Sequence, residues 1–194
     1  MTTTTKYRDR WQLPKAGGME QDVVGAGDQW MSAADYDFVQ DRVPILCVDV
    51  LLSPSDDPRQ VALIRRVAPD GDGWCLVGGR VLRNEPLSAA VERHVAATLG
   101  PAVHVDRSTL QLGAVIEYFT EPGAGDFHDP RKHAVALTYA ASCECIGEPE
   151  ALGEALEFGW FKIDQLAEVH FGFGQGDAVA RVLGKLGRVL TGAR

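Results

Sequence analysis

Apolar and polar positions along this 194-residue chain alternate in short blocks that predict their own secondary structure. PILCVDVLL (44–52) is apolar almost throughout, as expected of a central strand covered on both faces. A single acid, Asp49, interrupts it. QVALIRRV (60–67) predicts a second strand, and WCLV (74–77) a short third one running into a Gly78–Gly79 turn. Leu87, Val91, Val95 and Leu99 recur every four residues, the stripe of a helix face, with Pro86 suited to its first turn and Gly100 to its end. Three further strands are predicted at 110–119, 133–145 and 156–163. Asp164 is the expected cap of the turn that follows, and AVARVLGKLGRVL (178–190) reads as an amphipathic final helix. Near the start, Ser32 is suited to cap a short helix ending at Gln40.

Strands and helices interleaved in this way predict an α/β chain with a mixed central sheet and helices on both faces. Residues 1–31 are polar, glycine-bearing and aperiodic, and read as an N-terminal arm whose Tyr7, Trp11 and Trp30 suit it to dock rather than float. Residues 32–194 are expected to form one domain, and 45% hydrophobic with 24% charged residues suits a globular core. A net charge of -8 argues against non-specific nucleic-acid binding, which requires basic surface, but leaves room for a small anion held by local arginines. No apolar run approaches the ~20 residues of a membrane helix, and the first residues lack a secretory core, so the cytoplasm is the expected location and no membrane partner is expected. Of the four cysteines, Cys47 and Cys75 lie in apolar runs; Cys143 and Cys145 share a strand face, as a metal pair or as buried thiols.

The stretch GGRVLRNEPLSAAVERHVAATLG (78–100) carries the chemistry. Gly79, Glu85, Arg93, Val95 and Gly100 fit the spacing G-x5-E-x7-R-E-U-x-E-E-x-G-U, and the segment resembles the Nudix box. In that box, glutamates at i, i+3 and i+4 share one helical face and hold magnesium against a pyrophosphate. Here His94, Ala97 and Thr98 occupy the acidic places. This degenerate form is similar to the box of the GDP-mannose mannosyl hydrolases, a Nudix subgroup. Over about residues 35–185 the likeness extends to the Phe-Val element before PILCVDV, the Trp before the box, a His opening the long strand and the Val169–His170 pair.

The resemblance implies a Nudix-like α/β/α sandwich that hydrolyses a small nucleoside diphosphate derivative, a nucleotide sugar above all. Water would attack the sugar's anomeric carbon and a nucleoside diphosphate would leave. It places His170 as general base and Asp49, Arg80, Arg93 and His133 on substrate-handling positions. Arg65 or Arg66 would add a phosphate contact, since guanidinium pairs with phosphate oxygens bidentately. Mg2+ or Mn2+ is the implied ion, bound weakly, because Thr98 stands where the subgroup keeps a glutamate ligand. A homodimer is a further expectation. Each residue also has a structural reading: Asp49 as a salt-bridge partner, His170 as surface, His133 as a strand start, and Arg93 as the partner of Glu85. The whole chain has one too, as a catalytically silent Nudix-fold module that binds a nucleotide or a partner protein.

Overall fold

The computed structural model describes residues 31–69 and 71–187; the arm expected over 1–31 lies outside them except for Met31. Ser32 caps the first helix, α1 (Ala33–Gln40), its hydroxyl accepting from the Asp35 N–H at 3.2 Å. The strands that follow are β1 (Ile45–Pro54), β2 (Gln60–Ala68), β3 (Gly71–Cys75) and β4 (Val77–Arg80). Helix α2 (Leu87–Leu99) starts directly after Pro86 and stops at Gly100, whose φ of +79° suits a residue without a side chain. Next come β5 (Val103–Val105), β6 (Gln111–Phe119), β7 (Phe127–His128), β8 (Ala134–Cys145), β9 (Glu157–Lys162) and α3 (Gln175–Lys185).

The strands form two sheets. One is mixed, in the order β4-β1-β8-β6-β7 with β5 on the far end of β8; the other is antiparallel, in the order β3-β2-β9. Parallel pairing of β1 with β8 puts the apolar run of β1 at the centre, as its composition predicts. Side chains alternate across a strand, so Val48, Val50 and Leu52 face away from Cys47 and Asp49. The former share a core with Val91, Val95 and Leu99 of α2. On the opposite side, Leu51 packs in a second core with Val61 and Leu63 of β2 and Val179, Val182 and Leu183 of α3. The expected mixed α/β architecture with helices on both faces is therefore what forms. Among the described residues, no helix is long and apolar enough to cross a membrane.

Three local expectations differ, and two short strands are additional. Gly78 and Gly79 make no turn; they lie extended in β4, and the chain instead passes from one sheet to the other at Leu76. What requires glycine there is proximity: a Cβ on Gly78 would fall 2.2 Å from Asp49 Oδ1 and 2.3 Å from the Val48 carbonyl oxygen. Asp164 caps nothing, because the short helical turn Ile163–Glu168 begins after Lys162 with no side-chain cap. Helix α3 begins three residues earlier than its apolar stripe, at Gln175, and its described part ends at Lys185. Strands β5 and β7 are three and two residues long, too short to show an alternation. The cysteines are free thiols, with Cys47, Cys75 and Cys143 buried and Cys145 exposed.

Gly78→Ala forces a methyl into backbone and should cost at least about 2 kcal/mol, lowering the thermal midpoint by several degrees in calorimetry. An unchanged midpoint would show that β4 is free to move off β1.

Candidate active site

The Nudix-like box acts as a brace. Glu85 takes a bidentate ion pair from Arg93, 2.6 Å to Nε and 2.8 Å to Nη2, and also accepts from the Leu82 N–H at 2.9 Å. The Arg93 pairing holds the Glu85 carboxyl below its ordinary range. Arg93 Nη2 also donates to the Arg80 carbonyl at 2.9 Å, and the same carbonyl receives His94 Nε2 at 3.0 Å. A carbonyl only accepts, so His94 carries its proton on Nε2, and burial lowers its pKa and keeps it neutral. Gly79 permits this approach, since a Cβ there would lie 2.5 Å from His94 Cε1.

On the other side of β4, charged side chains from both sheets converge on Asp49, and the ground they enclose is the candidate cleft. Antiparallel pairing sets Arg80 opposite Cys47 and Gly78 opposite Asp49, so Arg80 and Asp49 share one face. Asp49 is buried, and burial raises its carboxyl to about 6. The charges of Arg66 and Lys132 oppose that rise, and Glu154 adds to it. Arg66 comes from β2 and is ion-paired with Glu154, a residue of the loop before β9. Arg131 and Lys132 come from the loop before β8, and both act electrostatically on Cys47. Thr138, the register partner of Asp49 on β8, is fully buried and its hydroxyl has no hydrogen-bond partner.

Two aromatic rings border these cations. The Arg80 guanidinium lies 4.3 Å from the Tyr36 ring, whose hydroxyl accepts from Lys132 Nζ at 3.3 Å. Phe173 carries the Arg131 guanidinium at 4.3 Å and faces that of Arg66 at 5.6 Å. Arg131 is also clamped by Asp129, at 2.8 Å and 2.7 Å.

Of the residues singled out in the sequence, Asp49 and Arg80 share this face of the sheet: Arg66, Lys132 and Glu154 act on Asp49, while Arg80 reaches the Tyr36 ring. Arg93 holds the box loop through Glu85, as its structural reading has it. Arg65 does not join the cleft: adjacent strand residues face opposite ways, and Arg65 pairs with Glu157 on β9 at 3.1 Å while Arg66 turns inward. His133 stacks on Phe119 with ring centroids 4.8 Å apart. It borders a cavity of ≈ 330 Å³ beside α1 and shares that cavity's wall with Arg131 and Lys132; its Nε2 is buried without a partner. His170 is exposed, with its carbonyl taking the Trp74 N–H at 2.9 Å, and it opens the loop that carries Phe173 into the cleft. Sequence reasoning missed Lys132, Arg131, Glu154, Tyr36 and Phe173. Only the basic run at 131–133, just ahead of a predicted strand, was a readable signal.

The side chains at the box's acidic places do not fit a divalent ion. His94 uses Nε2 as a donor, Ala97 has no ligand atom, and Thr98 is buried in the helix. Among the described residues, no three His, Cys, Asp or Glu side chains converge to hold a metal.

The fold is Nudix-like, and the glycine, glutamate and arginine of the box form its brace. Residues 26–188 match the family described as a domain of unknown function, DUF4916, and the chain belongs to that family. It is similar to a structure from Jonesia denitrificans described as a possible asymmetric diadenosine tetraphosphate hydrolase. The two are 31% identical over 76% of this chain and 98% of that one, with a TM-score of 0.65. At the level of fold alone it is similar to two further structures. One is the Nudix domain of Shewanella oneidensis NrtR complexed with ADP ribose, 18% identical over 80% of this chain and 99% of that one, with a TM-score of 0.55. The other is a MutT/nudix family protein from Enterococcus faecalis, 19% identical over 81% and 75%, with a TM-score of 0.56. No curated protein matches the sequence.

The raised Asp49 pKa has a measurable consequence for stability. Its carboxyl goes from 3.8 to about 6 on folding, so the folded state favours the protonated form. The associated stability is complete below the unfolded value and is lost as pH rises through the folded one, about 3 kcal/mol by pH 8. Asp49→Asn, which cannot ionise, should therefore gain on the wild type by about that amount between pH 4 and pH 8 in denaturant titrations. A difference that stays flat over that range would show Asp49 to be solvated.

Proposed function

We propose that this protein hydrolyses a nucleoside diphosphate linked to a sugar or a similar group. One observation carries the reading: Arg66, Arg80, Arg131 and Lys132 border the Cys47–Asp49 face of a cleft inside a chain of net charge -8. Positive charge gathered against the overall balance suits a diphosphate, whose departure mainly requires that its developing charge be neutralised.

In this reading the diphosphate lies across the four cations. His170 takes the proton of the attacking water on the far side of the sugar. Asp49, near 6, hands a proton to the departing phosphate oxygen. The cavity beside His133 receives the group at one end of the diphosphate, and the buried, unpartnered Nε2 offers it a hydrogen bond. The likeness of the box to that of the GDP-mannose mannosyl hydrolases supports a nucleotide sugar. The name of the Jonesia denitrificans relative supports dinucleoside polyphosphates as the next class to test.

A second reading, a silent module that binds the same ligand, is favoured by two observations. Thr98 offers no carboxylate, and the His170 imidazole is exposed and makes no hydrogen bond among the described residues.

The test is incubation with a panel of nucleotide sugars and dinucleoside polyphosphates, followed by chromatography of products. Turnover of one of them should fall by about 10²–10⁴-fold in His170→Ala. Arg66→Ala should raise KM about tenfold or more, whereas Arg65→Ala should leave it unchanged. Ligand-dependent thermal stabilisation without product from any compound would select the silent module.

A further inference from the structure

The cleft collects positive charge in a particular way: each aromatic ring at its border touches two cations. Tyr36 takes Arg80 on its ring and Lys132 on its hydroxyl. Phe173 takes Arg131 on its ring, with Arg66 further out. Both rings also pack on the main core, Phe173 as a buried member and Tyr36 against its edge. Tyr36 belongs to α1, a helix with no buried residue, and still reaches across to β4 and to the loop before β8. Phe173 is buried with φ at +57°, a left-handed backbone that is strained for an aromatic residue. It is followed by Gly174, also left-handed, which lets the chain turn into α3.

We propose that Tyr36 and Phe173 are positioning residues of a metal-independent diphosphate site: together with the Asp129 and Glu154 carboxylates, the two rings hold four cationic side chains that take the place of carboxylate-held divalent ions. The inference rests on the reading of the cleft as a diphosphate pocket. A cation on an aromatic face keeps its charge while losing rotamer freedom, so less order has to be imposed when an anion arrives. The donor set agrees. The helix face that would carry magnesium ligands presents an imidazole already bonded to a carbonyl, a methyl and a buried hydroxyl. Arg80, whose carbonyl takes that imidazole, instead reaches the Tyr36 ring. Beside Asp49, the buried Thr138 hydroxyl has no hydrogen-bond partner among the described residues.

Calorimetric titration with ADP and with GDP, each in excess EDTA and again with added magnesium, tests this on the full-length protein. At least one nucleotide should bind equally well in both buffers. Tyr36→Leu and Phe173→Leu should each weaken it by about tenfold, while Phe173→Tyr keeps the ring and the affinity. Tyr36→Phe retains the ring under Arg80 and loses only the hydroxyl, so it should fall between wild type and Tyr36→Leu. Thermal melts show which variants are folded; if Phe173→Leu is not, the Tyr36 pair carries the test, because α1 contributes no buried residue. Binding that appears only with magnesium overturns the inference and leaves the diphosphate pocket standing. So does binding in EDTA that both leucine variants retain in full. Binding of neither nucleotide in either buffer overturns the pocket itself.

Discussion

The chain leaves the antiparallel sheet at Cys75 and enters the mixed sheet at Val77, so the Leu76 N–H belongs to neither ladder. It is buried, and an unpaired buried amide costs about 1–3 kcal/mol. Gln175 Oε1 accepts it at 2.7 Å. That hydrogen bond ties the sheet crossing to the first residue of α3. The loop before α3 is thereby held against β3, where Gly172 lies so close to Gly73 that a Cβ on Gly73 would meet its nitrogen at 2.4 Å. Phe173 is then delivered to the cations, and Gly78 is pressed onto Asp49. The loop carrying Phe173 is thus anchored at the point where the chain passes from one sheet to the other.

The box separates into two functions that its spacing alone presents as one. Gly79, Glu85 and Arg93 hold the loop, the helix and the Arg80 carbonyl together. At the places reserved for acids, His94 reinforces the brace and the Thr98 side chain is buried, while the backbone carbonyl of residue 98 receives the Leu152 N–H at 2.9 Å and fastens the loop that carries Glu154. A helix that normally presents ligands has here become a wall.

Elements long enough to show a period were legible in the sequence, as with β1, β8 and the α2 stripe. Those set by proximity were not: the Gly78–Gly79 pair looked like a turn because nothing local shows that Asp49 and His94 press on it. The same holds for the site. Asp49 announced itself as a charge in an apolar run, and Arg80 by its place beside the box. Arg65 and Arg66 could not be told apart, because QVALIRRV is apolar on both faces and parity has no anchor. Tyr36, Phe173 and Glu154 reach the cleft from three separate segments, and nothing in their own surroundings marks them. His170 and His133 were readable only through the resemblance.

One carbonyl, that of Arg80, accepts from both Arg93 and His94. A glutamate in place of His94 would set like partial charges face to face at that point, repelling the edge strand before any ion was bound. Restoring the carboxylate at position 94 therefore also removes a tie between α2 and β4. The imidazole works as a latch, and evolution in either direction would have to release β4 before it could change the chemistry.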